Sequence, residues 1–184
     1  MVEGRGLVER MRRAALLDAT LYDEVEHDQS ALPEAVLVVV IAAVASLLGN
    51  LLNVFEQGPR HVGLVSEIAS MLANWVVWSY VTYFVGTRLF GGTATPGEML
   101  RALGFAMSPG ALNILGAVPC VGGLIRVAVL IWILVAGVVA VRAAQDCTNA
   151  DALGTVVVGG MVMLGLFVLQ LLVLGALGVT VRLL

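Results

Sequence analysis

Apolar residues run through this chain in long blocks, and polar residues collect in the gaps between them. Past about residue 34 the sequence neither alternates with a period of two nor shows a half-apolar helical stripe; it stays apolar for some twenty residues at a time. The hydrocarbon core of a bilayer takes about 20 apolar residues per helix. Residues 35–184 supply five such stretches, at about 35–55, 62–88, 98–117, 120–143 and 153–181. The connectors read "EQGPRH", "RLFGGTATPGE", the tight "VPCVGG" and "RAAQDCTNAD". The pattern predicts an all-α, polytopic membrane protein built as a bundle of five transmembrane helices. It shows no second domain and no internal repeat.

Residues 1–34 follow a different rule and form a separate N-terminal segment. They hold eight of the thirteen acidic residues and four of the ten arginines. In "LVERMRRAALLDATLYDEVEHD", Leu7, Met11, Ala14, Leu17 and Leu21 recur at helical spacing, with Arg10, Arg12 and Arg13 near the start. This predicts an amphipathic helix at the membrane surface with its arginines toward anionic lipid; a solvated cytosolic helix is the other reading. "DQSALPEA" then resembles a turn feeding a helix, with Ser30 as N-cap, Pro33 in the first turn and Glu34 at the positive helix end. The opening "MVEGRGLVERMRR" lacks the apolar core of a signal peptide and runs into acidic sequence instead.

Composition sharpens the class. The chain is 60% hydrophobic and 12% charged, with a mean hydropathy of +1.00; a soluble domain averages about 45–50% apolar and about 25% charged. A net charge of −3 and a pI near 5.3 exclude a phosphate-neutralising surface for nucleic acid. All basic residues are Arg, and Ala, Val, Leu and Gly dominate, a usage that fits a GC-rich bacterial genome. Arg5, Arg10, Arg12, Arg13, Arg88, Arg101 and Arg142 fall on one side of the predicted topology. Only Arg60, Arg126 and Arg182 fall toward the other. The positive-inside rule then places the N-terminus in the cytoplasm and the C-terminus outside, in a bacterial plasma membrane. Cys120 and Cys147 lie on opposite sides in that arrangement and do not pair.

Polar groups inside hydrocarbon are costly and turn toward a partner or a cavity. Asn50, Asn53, Glu67, Ser70, Asn74, Asn113 and Arg126 all fall between mid-membrane and the outer boundary, counting about 1.5 Å per residue. They predict a buried polar cluster with Glu67 and Arg126 as a candidate ion pair, serving either interhelical packing or a small ligand. Pro109 falls inside the third span and predicts a kink or break over Gly104, Ser108, Pro109 and Gly110, with Ser108 or a neighbouring helix satisfying the freed carbonyls. There is no nucleophile elbow, HExxH zinc motif, P-loop or pair of carboxylates on one predicted face, and His27 and His61 stand alone. No catalysis, metal or cofactor is expected.

The segment "LRALGFAMSPGALNILGAVPCVGGLIRVAVLIWILVAGVVAVRAA" resembles the bacterial branch of the Yip-domain family. The likeness lies in Arg101 before Gly104, Phe105 and Ala106, then Ser108 and Pro109, a small-residue turn with Pro119, Gly122 and Gly123, and a helix carrying Trp132 and ending at Arg142. "LYDEVEHDQSALPEAVLVVVIAAV" is similar to the family's approach to its first span. The resemblance implies a five-helix integral membrane fold with a cytosolic N-terminus. Eukaryotic members are associated with Rab GTPases and membrane traffic. Their Asp-Leu-Tyr-Gly-Pro motif does not occur here, and a bacterial chain has no Rab-type GTPase to meet. The expected function is a non-enzymatic membrane scaffold or adaptor that contacts lipid, other membrane proteins or its own copies. A small transport or permeation unit, or an accessory subunit of a larger complex, is the alternative.

Overall fold

The computed structural model describes residues 6–51 and 64–176. Two short helices come first, α1 (Leu7–Ala15) and α2 (Ala19–His27), followed by a 3₁₀ turn at Gln29–Ala31. Then come α3 (Leu32–Leu51), α4 (Leu64–Leu89), α5 (Pro96–Ala106), a 3₁₀ segment (Ser108–Ala117), α6 (Gly122–Ala144) and α7 (Asn149–Ala176). No strand occurs among the described residues. Among the described residues four stretches are long and apolar enough to cross a membrane: Gln29–Asn50, Val65–Leu89, Gly122–Ala144 and Asn149–Val173. The third of the five expected spans differs from the rest. It consists of an 11-residue α-helix followed by ten residues of 3₁₀ winding.

Local chemistry explains the boundaries. "TPGE" starts α5 with a capping box: Glu98 N–H donates to Thr95 Oγ1 at 3.4 Å, Thr95 N–H donates to Glu98 Oε2 at 2.8 Å, and Pro96 occupies the first turn. Thr148 Oγ1 accepts from Asp151 N–H at 3.2 Å at the start of α7. The capping side chain in this stretch is Asp28, at the start of the 3₁₀ turn that leads into α3, and not Ser30. Asp28 Oδ1 accepts from Ser30 N–H at 3.0 Å and from the Ser30 hydroxyl at 2.5 Å. A carboxylate outcompetes a hydroxyl two residues on because it offers more acceptor sites and a negative charge at the helix start.

One end of the bundle holds the starts of α3, α5 and α7 and the ends of α4 and α6: Arg101 of α5 reaches the end of α2 ahead of α3, Gln145 at the end of α6 meets Thr82, Gly86 and Gly92 around the end of α4, and Arg142 meets Asn149 at the start of α7. The broken third span packs most extensively on α3. Ala35, Ala42 and Gly49, seven residues apart, line that contact. A Cβ on Gly104 would stand 2.7 Å from the Ala35 Cβ, and one on Gly110 would stand 2.8 Å from that of Ala42. A Cβ on Gly49 would collide with the Asn113 carbonyl. Small residues thus let two backbones approach closely, which in lipid replaces the hydrophobic drive that water gives.

Helices α1 and α2 are not separate from this bundle. Ala14, Leu21, Tyr22 and Val25 belong to the same apolar cluster as Met99, Leu103, Phe105 and Ala140. Their packing fills the seam between α5 and α6. The Trp132 indole N–H donates to the Ala15 carbonyl at 2.7 Å, and Trp132 lies ten residues into α6. The end of α1 therefore reaches about halfway along that span.

Candidate functional site

The polar chemistry of the described residues gathers in two layers, one at each end of the bundle. At the end where α3, α5 and α7 start, a charged joint ties α1 and α2 to the spans. Arg10 donates to Glu34 at 2.9 Å, to Glu24 at 2.9 Å and to Asp28 at 3.1 Å. Arg13 donates to Asp18 at 2.7 Å, to Glu24 at 2.9 Å and to the Thr20 hydroxyl at 3.0 Å. Hydrogen bonds from Thr20 and Arg13 hold the Asp18 carboxyl down at about 2. The arginines expected to face lipid thus differ from that expectation: Arg10 and Arg13 point into the protein, because four carboxylates and a hydroxyl of their own chain take their donors. Arg12 is exposed and pairs with Glu9 at 2.7 Å.

Beneath this network, Arg101 is 8% exposed and donates to the Val25 carbonyl at 3.0 Å and to the Glu26 carbonyl. A cation there faces the negative end of α2. Glu26 itself is 5% exposed, and its Oε2 has no hydrogen-bond partner. Its Oε1 lies 3.2 Å from His27 Nδ1. Burial pushes the Glu26 carboxyl up to about 7; His27 lowers it, while Asp146, Asp23 and Glu98 raise it further.

Next to this joint, Gln145 is 1% exposed at the end of α6. Its Nε2 donates to the Thr82 carbonyl at 3.0 Å, and its Oε1 lacks a partner. Gly86 and Gly92 clasp the carboxamide so closely that a Cβ at either would collide with it. Thr82, Ser79 and Thr155 are also fully buried nearby in sequence or on facing helices. Thr155 lies one turn before Gly159, on the side of α7 that meets Thr82.

The second layer lies at the opposite end. Asn113 Nδ2 donates to Ser46 Oγ at 3.1 Å. Arg126 donates to the Gly49 carbonyl at 3.0 Å and to the Gly116 carbonyl at 3.4 Å. No ion pair joins Arg126 to Glu67 among the described residues; the unwound end of the 3₁₀ segment and the end of α3 present carbonyls that take the guanidinium instead. Of the other polar residues singled out from sequence, Asn50, Ser70 and Asn74 are exposed, Glu67 is half-buried, and Asn53 lies outside the described residues.

The winding of the third span changes at Met107–Ser108, between Gly104 and Gly110. Pro109 cannot donate to the Phe105 carbonyl, and the Ser108 hydroxyl donates to that carbonyl at 2.6 Å. Beside the change lies a small apolar pocket of about 30 Å³, walled by Leu103, Ala106, Met107, Ile133, Gly137 and neighbouring side chains. It is too small for a metabolite, since ligand sites span about 300–1,000 Å³.

Sequence pattern alone missed the Arg101–α2 joint and the Gln145 clasp. A signal existed for each. Arg101 is a lone charge amid Ala, Leu and Gly, and Gly86 and Gly92 flank the turn that Gln145 must enter. Among the described residues no three His, Cys, Asp or Glu side chains are grouped to hold a metal.

Helices of this length and hydropathy, joined by buried polar contacts at both ends, define an all-helical integral membrane protein. Within that class the sequence matches the Yip1 domain over residues 20–172, and the chain belongs to the Yip1 domain family. No curated protein and no solved structure matches it.

Proposed function

We propose that this Yip-family protein is a non-enzymatic scaffold of a bacterial plasma membrane that gathers other membrane proteins, or further copies of itself, through the first half of α4. One observation supports the reading. Ser70 and Asn74, one turn apart, are exposed, and neither has a hydrogen-bond partner among the described residues. Asn74 is ten residues into a 26-residue helix, about 15 Å below its start. A carboxamide facing lipid at that depth is costly, whereas one facing another helix is satisfied. Ala69 and Ala73, exposed on the adjoining face, let such a helix come close.

In this reading α5 and the 3₁₀ segment together make the third of five crossings, shortened in α-winding but lengthened by the greater rise of 3₁₀ turns. Arg10, Arg13, Arg88, Arg101 and Arg142 stand at one end and Arg126 at the other. By the positive-inside rule the first end is cytoplasmic, which puts the N-terminus inside and the C-terminus outside. The outer contacts of Ser46, Asn113 and Arg126 serve packing.

The test is capture of partners from native membranes in mild detergent, together with self-association by native mass spectrometry. Asn74→Leu should reduce capture or self-association by about threefold or more, the worth of an interhelical hydrogen bond. Undiminished association in Asn74→Leu and Ser70→Ala/Asn74→Leu would end the scaffold reading. Substrate-dependent flux in liposomes that these variants abolish would replace it with permeation.

A further inference from the structure

The second half of α4 carries a feature that the scaffold reading does not use. Between α4 and α7 runs an open groove of about 710 Å³, walled by Val76, Tyr80, Phe84, Val158 and Val162 among others, with Arg88 at its end. From Val76 to Leu89 the groove follows α4 for about 20 Å, a little more than the depth of one leaflet of a bilayer whose core is about 30 Å thick. Its walls are apolar, and Arg88 is the charged residue among them. The Arg88 guanidinium lies 5.4 Å from the centre of the Phe84 ring, so it is laid along the groove mouth. Among the described residues it has neither an ion pair nor a hydrogen bond. The other arginines at this end are occupied: Arg10 and Arg13 by carboxylates, Arg101 by the carbonyls of α2, and Arg142 by the Asn149 side chain at 3.3 Å.

An apolar channel one leaflet deep, ending in an unpaired cation at the headgroup level, matches one molecule. We propose that the groove between α4 and α7 is a binding site for a single anionic phospholipid. One acyl chain lies along Val76, Tyr80 and Val162, and the phosphate accepts hydrogen bonds from Arg88. The guanidinium fork suits a phosphate, and a headgroup of net negative charge keeps an attraction that a zwitterionic headgroup loses to its own ammonium. A second protein helix would satisfy the walls but leave Arg88 facing apolar side chains. The proposal rests on the chain crossing a bilayer, and on no partner protein.

The experiment uses the full chain, delipidated in detergent and titrated with phosphatidylglycerol or phosphatidylcholine of identical acyl chains. Retained lipid is counted by native mass spectrometry. The wild-type protein should keep one phosphatidylglycerol in preference to phosphatidylcholine. Arg88→Gln should weaken phosphatidylglycerol retention about fivefold, the effect of one arginine at an anionic surface, and phosphatidylcholine retention less, so that the preference for phosphatidylglycerol narrows. Val162→Trp, which fills the groove, should lower retention of both lipids. Arg142→Gln, a charge at the same end but outside the groove, should leave the preference intact. Equal retention of the two lipids, equal losses in Arg88→Gln and Arg142→Gln, or unchanged retention in Val162→Trp would each overturn the site. So would loss of a dimer, with lipid retention intact, in Val162→Trp. Failure of the scaffold reading shows separately, in Asn74→Leu, which does not touch the groove.

Discussion

Replacing Arg101 with Met removes the buried cation that holds α2 against the spans while keeping a side chain of similar length. Two hydrogen bonds from a charged donor, to the Val25 and Glu26 carbonyls, are lost. Each is worth about 1.5–3 kcal/mol. The carbonyls regain water once α2 lifts away, and Met fills part of the vacated volume, so the net loss in docking should be about 2–4 kcal/mol. That corresponds to about a thirtyfold to several-hundredfold rise in the undocked fraction. Hydrogen–deuterium exchange resolved by peptide checks this directly. Amides of α1 and α2 should exchange faster by that factor in Arg101→Met, while those of α6 and α7 stay at the wild-type rate. Arg101→Lys should fall between, because an ammonium reaches one carbonyl well and two poorly. Unchanged exchange over residues 7–27, or uniform acceleration across all helices, would refute the view that Arg101 latches the N-terminal helices to the spans.

Docking of the same helices should depend on pH. The Glu26 carboxyl, at about 7, lies above its ordinary 4.5, so the neutral form is favoured in the docked state. That contribution is fully present below about pH 4.5 and is lost as pH rises through 7. Protection of the α2 amides, taken relative to the intrinsic exchange rate at each pH, should fall from pH 5 to pH 8, and Glu26→Gln should flatten that fall. Gly86→Ala should cost about 1–3 kcal/mol by overpacking against Gln145, and Gln145→Ala should recover part of it in a double-mutant cycle read by thermal unfolding in detergent. Ser108→Ala removes one of the donors to the Phe105 carbonyl, which keeps a backbone N–H, and should cost about 0.5–1.5 kcal/mol; adding Pro109→Ala supplies another backbone N–H and should reduce that loss. Arg126→Met should destabilise the protein, and its effect should add to that of Glu67→Gln, since Arg126 bonds the Gly49 and Gly116 carbonyls. Strong coupling between the two would show that they pair.

Hydropathy carried the long helices because the bilayer leaves few alternatives: α3, α4, α6 and α7 fall within a few residues of where apolar length places them. Pro109 and its flanking glycines marked where the winding changes, since a missing backbone N–H is a local fact visible in the letters. The charged joint was much harder to see. Arg10 and Arg13 have the spacing of a lipid-facing stripe, and nothing in that spacing reveals that α2 folds back to present Glu24, Asp28 and Asp18. Arg101 meets Glu26 from 75 residues away, and Gln145 meets Thr82 from 63. Pairings across such distances depend on how the spans pack, which a pattern of small and apolar residues leaves open. For the same reason, equal depth in the membrane suggested a Glu67–Arg126 pair, while the rotation of each helix directs Arg126 to backbone carbonyls.

The attachment of α1 and α2 also sets an order of events during synthesis. Ala15 must wait for Trp132, 117 residues later, and at about 5–20 residues per second the ribosome needs roughly 6–23 s to deliver it. For most of that interval the N-terminal segment is outside the ribosome, while the membrane groups that will hold it are still being made and inserted. Its own salt bridges, Arg10 with Glu24 and Asp28 and Arg13 with Asp18, need nothing beyond residue 28. They can fold the segment into a charged, self-satisfied hairpin that stays in water until the third and fourth spans arrive to receive it.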